Sequence, residues 1–86
     1  MPEISRFYGI VIKMYFDDHL PPHLHAEYGE YQALVNIDTL AVIGGRLPPR
    51  AMGMVMEWAL LHQDELKEAW SRAKSLQPPG RIDPLP

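Results

Sequence analysis

The residues with chemistry in them are gathered in one stretch, Asp17-Asp18-His19-Leu20-Pro21-Pro22-His23-Leu24-His25-Ala26-Glu27-Tyr28-Gly29-Glu30. Three of the chain's four histidines and four carboxylates fall within these fourteen residues. In a strand, residues i and i+2 point to one face. His23 and His25 would therefore project together, with Glu27 next on that face. His19 lies across the Pro21-Pro22 turn and could swing toward them. Three imidazoles with one carboxylate, from Glu27, Asp17 or Asp18, suit zinc, iron or another divalent transition metal. The expected ligands are His19, His23, His25 and Glu27. Asp17, Asp18 and Glu30 could act as acceptors that hold the neutral imidazoles in place. The competing reading is structural: histidines at β-turns bond the backbone and brace aromatic neighbours, here Tyr15, Tyr28 and Tyr31.

The same histidines support a second chemistry. His19, His23 or His25 could serve as base and acid in RNA cleavage, with Arg46 or Arg50 steadying phosphate charge. The acidic balance of the chain argues against it. His-x-His followed by Glu30 also matches the first motif of cupin barrels, but a cupin needs a longer double-sheet barrel and a second motif supplying another histidine. No Ser–His–Asp spacing and no phosphate-loop signature is present. Gly44-Gly45-Arg46 before a helix could bind an anion through backbone donors and the helix dipole; an ordinary strand-to-helix loop explains it as well.

Something must position this stretch. From Phe7 to Phe16, period-two alternation with aromatic and β-branched residues predicts one strand, nearly buried on both sides. His23 to Tyr28 can be a second strand. Tyr28-Gly29-Glu30-Tyr31 reads as a tight turn. Gln32 to Ile37 is a third strand, Asp38-Thr39 a turn, and Leu40 to Ile43 a short fourth strand broken by Gly44-Gly45. The expected fold is α+β: an antiparallel β-meander of three or four strands over about 7–43, then one long α-helix over about 48–76. Pro48-Pro49 opens that helix, because proline's missing donor would be unpaired in the first turn anyway. His62 to Asp64 is where it would bend, with Asp64 available as an N-cap for a second helix. Residues 77–86 form an extended tail.

From Ala51 to Leu61 only Glu57 is charged. A helix apolar almost all round must be covered on more than one side. Met52, Met56 and Leu60 are the expected interface, with a second copy of the chain or a small cognate protein. The alternative is that the tail folds over them, with Ile82 and Leu85 as plugs. His62, between Trp58 and Leu66, reads as a packed histidine bonded to Glu65 or to a strand carbonyl. Trp58 and Trp70 read as core or interface anchors.

Composition bounds the rest. Eighty-six residues make one domain, 1–86, of a size that buries only about 60% of its unfolded surface. With no cysteine there is no disulfide and no thiolate chemistry. The net charge is −3, the sequence pI is about 5.7, and the basic residues are scattered. Charge therefore gives no support to a nucleic-acid partner. No apolar run approaches the ~20 residues of a membrane span, and Met1 to Arg6 lacks the features of a signal peptide. A cytoplasmic protein is expected.

The order of motifs resembles a known family. Pro2 to Phe16, the Asp17 to Glu30 stretch, then Leu47-Pro48-Pro49-Arg50 before a helix carrying Glu57-Trp58 and His62, is similar to a family of short bacterial proteins described only as a domain of unknown function, DUF4160. The resemblance covers essentially the whole chain. Its specific part is the core His19-x-Pro21-Pro22-His23-x-His25. Members are often encoded beside another small uncharacterised domain, DUF2442. The resemblance implies a bacterial cytoplasmic protein and one half of a two-gene module resembling toxin–antitoxin pairs. It implies no activity and assigns no catalytic residue. Together with the apolar helix, it favours a non-enzymatic interaction or regulatory protein, with no cofactor beyond a divalent metal. The alternative is a metal-binding or RNA-cleaving enzyme centred on the His-rich turn.

Overall fold

The computed structural model describes residues 3–86. Met1 and Pro2, which open both the segment read for a signal peptide and the family-like motif order, lie outside the described residues. Five antiparallel strands form a meander in chain order: β1 (Glu3–Phe7), β2 (Ile10–Lys13), β3 (His23–Tyr28), β4 (Tyr31–Asn36) and β5 (Val42–Arg46). The α+β class and the meander are as expected, but the strand count is higher. The expected single strand from Phe7 to Phe16 shrinks to Ile10–Lys13, and a hairpin at Tyr8-Gly9 joins it to a further strand, Glu3–Phe7, which shares only Phe7 with the expected range. Tyr8 (φ 50°) and Gly9 (φ 81°) both take positive φ, the requirement of the two-residue turn that matches strand twist. Phe7 then pairs with Ile10, and both face the core. β5 likewise runs through Gly44 and Gly45, where the sequence predicted its end. Gly45 (φ 65°) sits where a Cβ would lie 2.0 Å from the Gln32 carbonyl oxygen, so the strand continues past an irregularity in register only because this residue has no side chain.

Two helices follow, α1 (Pro49–Leu61) and α2 (Gln63–Lys74), where one long helix was expected. The break is a single residue, His62, at φ −117° and ψ 24°. Its N–H still donates to the Trp58 carbonyl (3.1 Å), and its carbonyl accepts from the Leu66 N–H (2.9 Å). The adjacent Gln63 side chain donates to the carbonyls of Ile37 (2.8 Å) and Asp38 (2.9 Å), tying the junction to the β4–β5 loop. Asp64 is therefore not the cap; it lies in the first turn of α2, where its charge suits the helix dipole. α2 ends at Lys74 in a Schellman arrangement, with Leu76 (φ 61°) in the left-handed region and the Gln77 N–H on the Arg72 carbonyl (2.8 Å).

Alternation decides which face is covered. Ile10, Ile12, Leu24, Ala26, Ala33 and Val35 are fully buried and form a core with Val55, Trp58, Leu66 and Ala69 of the helices. The interleaved residues, including Lys13, His25, Glu27 and Gln32, lie on the opposite face. The tail is extended but packed. The Ile82 N–H donates to the Ile4 carbonyl (2.8 Å), the Trp58 indole N–H donates to the Asp83 carbonyl (2.7 Å), and Ile82 and Leu85 are buried. Met52 and Met56 pack partly buried against the core, whereas Leu60 remains 66% exposed. No helix among the described residues is long and apolar enough to cross a membrane.

Candidate metal centre

β3 carries His23 and His25 on one side because their spacing is two. Each directs its Nε2 at the same atom, Oδ2 of Asp18, at 3.0 Å from His23 and 2.9 Å from His25. One ligand atom from each of Asp18, His23 and His25 lies within 4.8 Å of the others, the one such group of three among the described residues. His23 is buried; His25 and Asp18 are largely covered.

The Pro21 carbonyl fixes one ring hydrogen of His23, and Gln32 leaves His25 a choice. His23 Nδ1 is 2.7 Å from the Pro21 carbonyl oxygen. A carbonyl only accepts, so Nδ1 carries the hydrogen and donates. That leaves His23 Nε2 with its lone pair toward an anionic oxygen, an arrangement that is attractive only when a proton or a metal cation sits between them. His25 Nδ1 is 3.3 Å from the Gln32 amide nitrogen, which donates to it, while Nε2–H of His25 donates to Asp18. Gln32 can instead present its amide oxygen, so it can steady either tautomer of His25. The Tyr15 ring meets His25 edge-on at 4.6 Å, and Trp70 of α2 lies 5.5 Å from His23.

Asp18 feels opposing influences. Burial alone pushes its carboxyl up. The hydrogen bond from His25, the His19 backbone N–H on Oδ1 (2.8 Å), and the charges of His23 and His25 together win, and hold it below the ordinary carboxylate range. Asp18 is thus an ionised acceptor at neutral pH.

Two of the four expected ligands stand elsewhere. His19 is exposed and contributes only its main-chain N–H. Glu27 is on the same face as the histidines but is bound to Lys13 at 3.0 Å. The strand register explains this: Lys13 lies opposite His25 and beside Glu27, which pairs with Val11. Asp18, one of three carboxylates compatible with the spacing, takes the place given to Glu27. Gln32 is not among the expected site residues, although the two-residue turn at Gly29-Glu30 pairs it with Glu27 and so puts it diagonal to His25. Elsewhere, His62 Nδ1 is 2.6 Å from Glu65 Oε1 and its ring packs 5.5 Å from Trp58, the structural role expected of it. Arg46 lies over the Tyr31 ring at 5.4 Å.

These features define a small α+β domain with two histidines and one carboxylate converging at one end of a sheet. The chain belongs to the family described as Domain of unknown function (DUF4160), whose model matches residues 9–71 and so takes in the whole cluster. No curated protein and no solved structure matches it.

Proposed function

We propose that the domain binds a divalent transition metal through Asp18, His23 and His25. The observation that supports this most is the placing of His23. Its Nδ1–H is committed to a carbonyl, and its Nε2 is aimed at the carboxylate oxygen that His25 already meets, an approach that is attractive only with a proton or a cation between them. Two imidazoles and a carboxylate are a common donor set for zinc and non-haem iron, and leave positions for water or a further ligand. The Pro21 carbonyl and Gln32 would be the outer partners that orient the rings. An acid–base pair working on RNA fits less well, because both Nε2 atoms address one carboxylate oxygen rather than opposite sides of a substrate.

Cobalt(II) titration followed by visible absorption tests the proposal. The native chain should develop a spectrum that saturates at one equivalent, and Asp18→Asn or His23→Ala should weaken binding at least ~10-fold. Absence of a spectrum, or equal binding by His23→Ala, would refute it.

A second reading, an interaction domain that pairs with its own copy or a small cognate protein, is favoured by Leu60 and Leu61. They are adjacent at the end of α1 and are 66% and 64% exposed. The family match lends no support to a toxin–antitoxin role.

A further inference from the structure

The corner that carries Asp18 is fastened to the far end of the chain. The Asp17 N–H donates to the Ala73 carbonyl at 3.1 Å. Lys74 Nζ donates to Asp17 Oδ1 at 3.1 Å and to the main-chain carbonyl of Asp18 at 3.3 Å. The Lys74 ammonium also lies 6.0 Å from the centre of the Trp70 ring, the ring that flanks His23. Ala73 and Lys74 in the last turn of α2 therefore hold the carboxylate corner, and Trp70 just before them packs on His23.

The Lys74–Asp17 ion pair is too exposed to add much stability, its side chains being 38% and 69% accessible. Its geometry matters more. Asp17 is held at φ 49°, a left-handed conformation that residues with a Cβ adopt only when their surroundings fix it. A bond from Lys74 to the carbonyl of the next residue fixes that corner and so aims the Asp18 side chain.

We propose that Lys74 is a positioning residue for the carboxylate of the metal site, so that metal occupancy and docking of the last turn of α2 are coupled. This rests on the metal-binding reading above. By reciprocity, whatever the clamp adds to metal affinity the metal adds to the clamp.

The test is a cobalt(II) titration of the full chain in four forms: native, Lys74→Met, Asp18→Asn and the double variant, with Lys74→Arg as the conservative control. Lys74→Met should weaken binding about 2- to 5-fold, the most that an exposed clamp acting through the main chain can supply. Lys74→Arg should keep most of the affinity. In the Asp18→Asn background, Lys74→Met should have little further effect, because the two act through one ligand. Zinc should also slow hydrogen exchange at the Asp17 amide of the native chain. Native affinity in Lys74→Met, an equal loss in both backgrounds, or Asp17 exchange indifferent to zinc would overturn the clamp while leaving the metal site standing. A native chain that takes up no cobalt would overturn both.

Discussion

Asp18 accepts from the His25 imidazole and the His19 backbone N–H, and His23 Nε2 lies 3.0 Å from the same carboxylate, all largely shielded from water. A residue so placed has little freedom to serve any role but that of an acceptor or ligand. Metal binding needs both histidines neutral, so affinity should fall as pH falls and uptake should release protons; buffer-dependent titration heats would measure this. A second depressed carboxylate, at the sheet edge, should add its own pH dependence to stability. Glu3 binds Arg6 Nη2 at 2.8 Å and Arg81 Nη1 at 2.9 Å, which pull its pKa from 4.5 down to about 2. A depressed carboxyl contributes stability that is complete above its unfolded value and lost as pH falls through the folded one. Glu3→Gln should therefore lower stability by a constant amount above about pH 4.5, and the difference from the native chain should vanish toward pH 2. A urea-unfolding series across that range would show it. Period-two spacing was enough to put His23 and His25 on one face. It was not enough to choose Asp18 over Glu27, because that choice depends on Lys13 arriving from the neighbouring strand, which only the register reveals.

At the scale of elements, glycines separate the legible from the hidden. Gly29 marked its hairpin because it stands alone between two runs that each read as a strand, and it takes the positive φ the turn needs. The Tyr8-Gly9 hairpin was concealed because Tyr8 continues an aromatic, alternating run, so the strand before it, Glu3–Phe7, had no visible boundary. Gly44-Gly45 misled in the other direction, since a glycine in a strand can be a bulge as well as a stop. Gly45→Ala should destabilise the domain by about 2 kcal/mol or more, from its positive φ and the collision with the Gln32 carbonyl. Gly53 is the contrast: it is an exposed position inside α1 with nothing within 4 Å of a new Cβ. Gly53→Ala should stabilise by up to ~1 kcal/mol. Thermal unfolding of the two variants would give opposite shifts. The helix break was legible in place but not in kind, because the bonds from Gln63 to Ile37 and Asp38 join residues 25 and 26 positions apart.

Across the whole molecule, the two chain ends are fastened together. The tail bonds β1 through Ile82 and Ile4, and α1 through Trp58 and Asp83. Tail burial was foreseeable from Ile82 and Leu85 as apolar residues among prolines; the Lys74 contact with the Asp17 corner was not, having no local signature across 57 residues. Ile82→Ala should cost roughly 2–5 kcal/mol, a large part of the stability of a domain this small, measured by denaturant unfolding. Met52 and Met56 pack partly buried on the core, and on α1 the most exposed apolar pair is Leu60 and Leu61. If the partner of that pair is a second copy, replacing both by Lys should convert the protein to a monomer in sedimentation, and an unchanged mass would count against self-association. The central claim concerns the other end of the sheet. It is tested most directly by native mass spectrometry of the protein, purified without a histidine tag, with added zinc and then with chelator. The account predicts one zinc per chain, removed by chelator and absent in His23→Ala. A native chain that stays metal-free, or a His23→Ala variant that holds zinc as well as the native chain does, would contradict it.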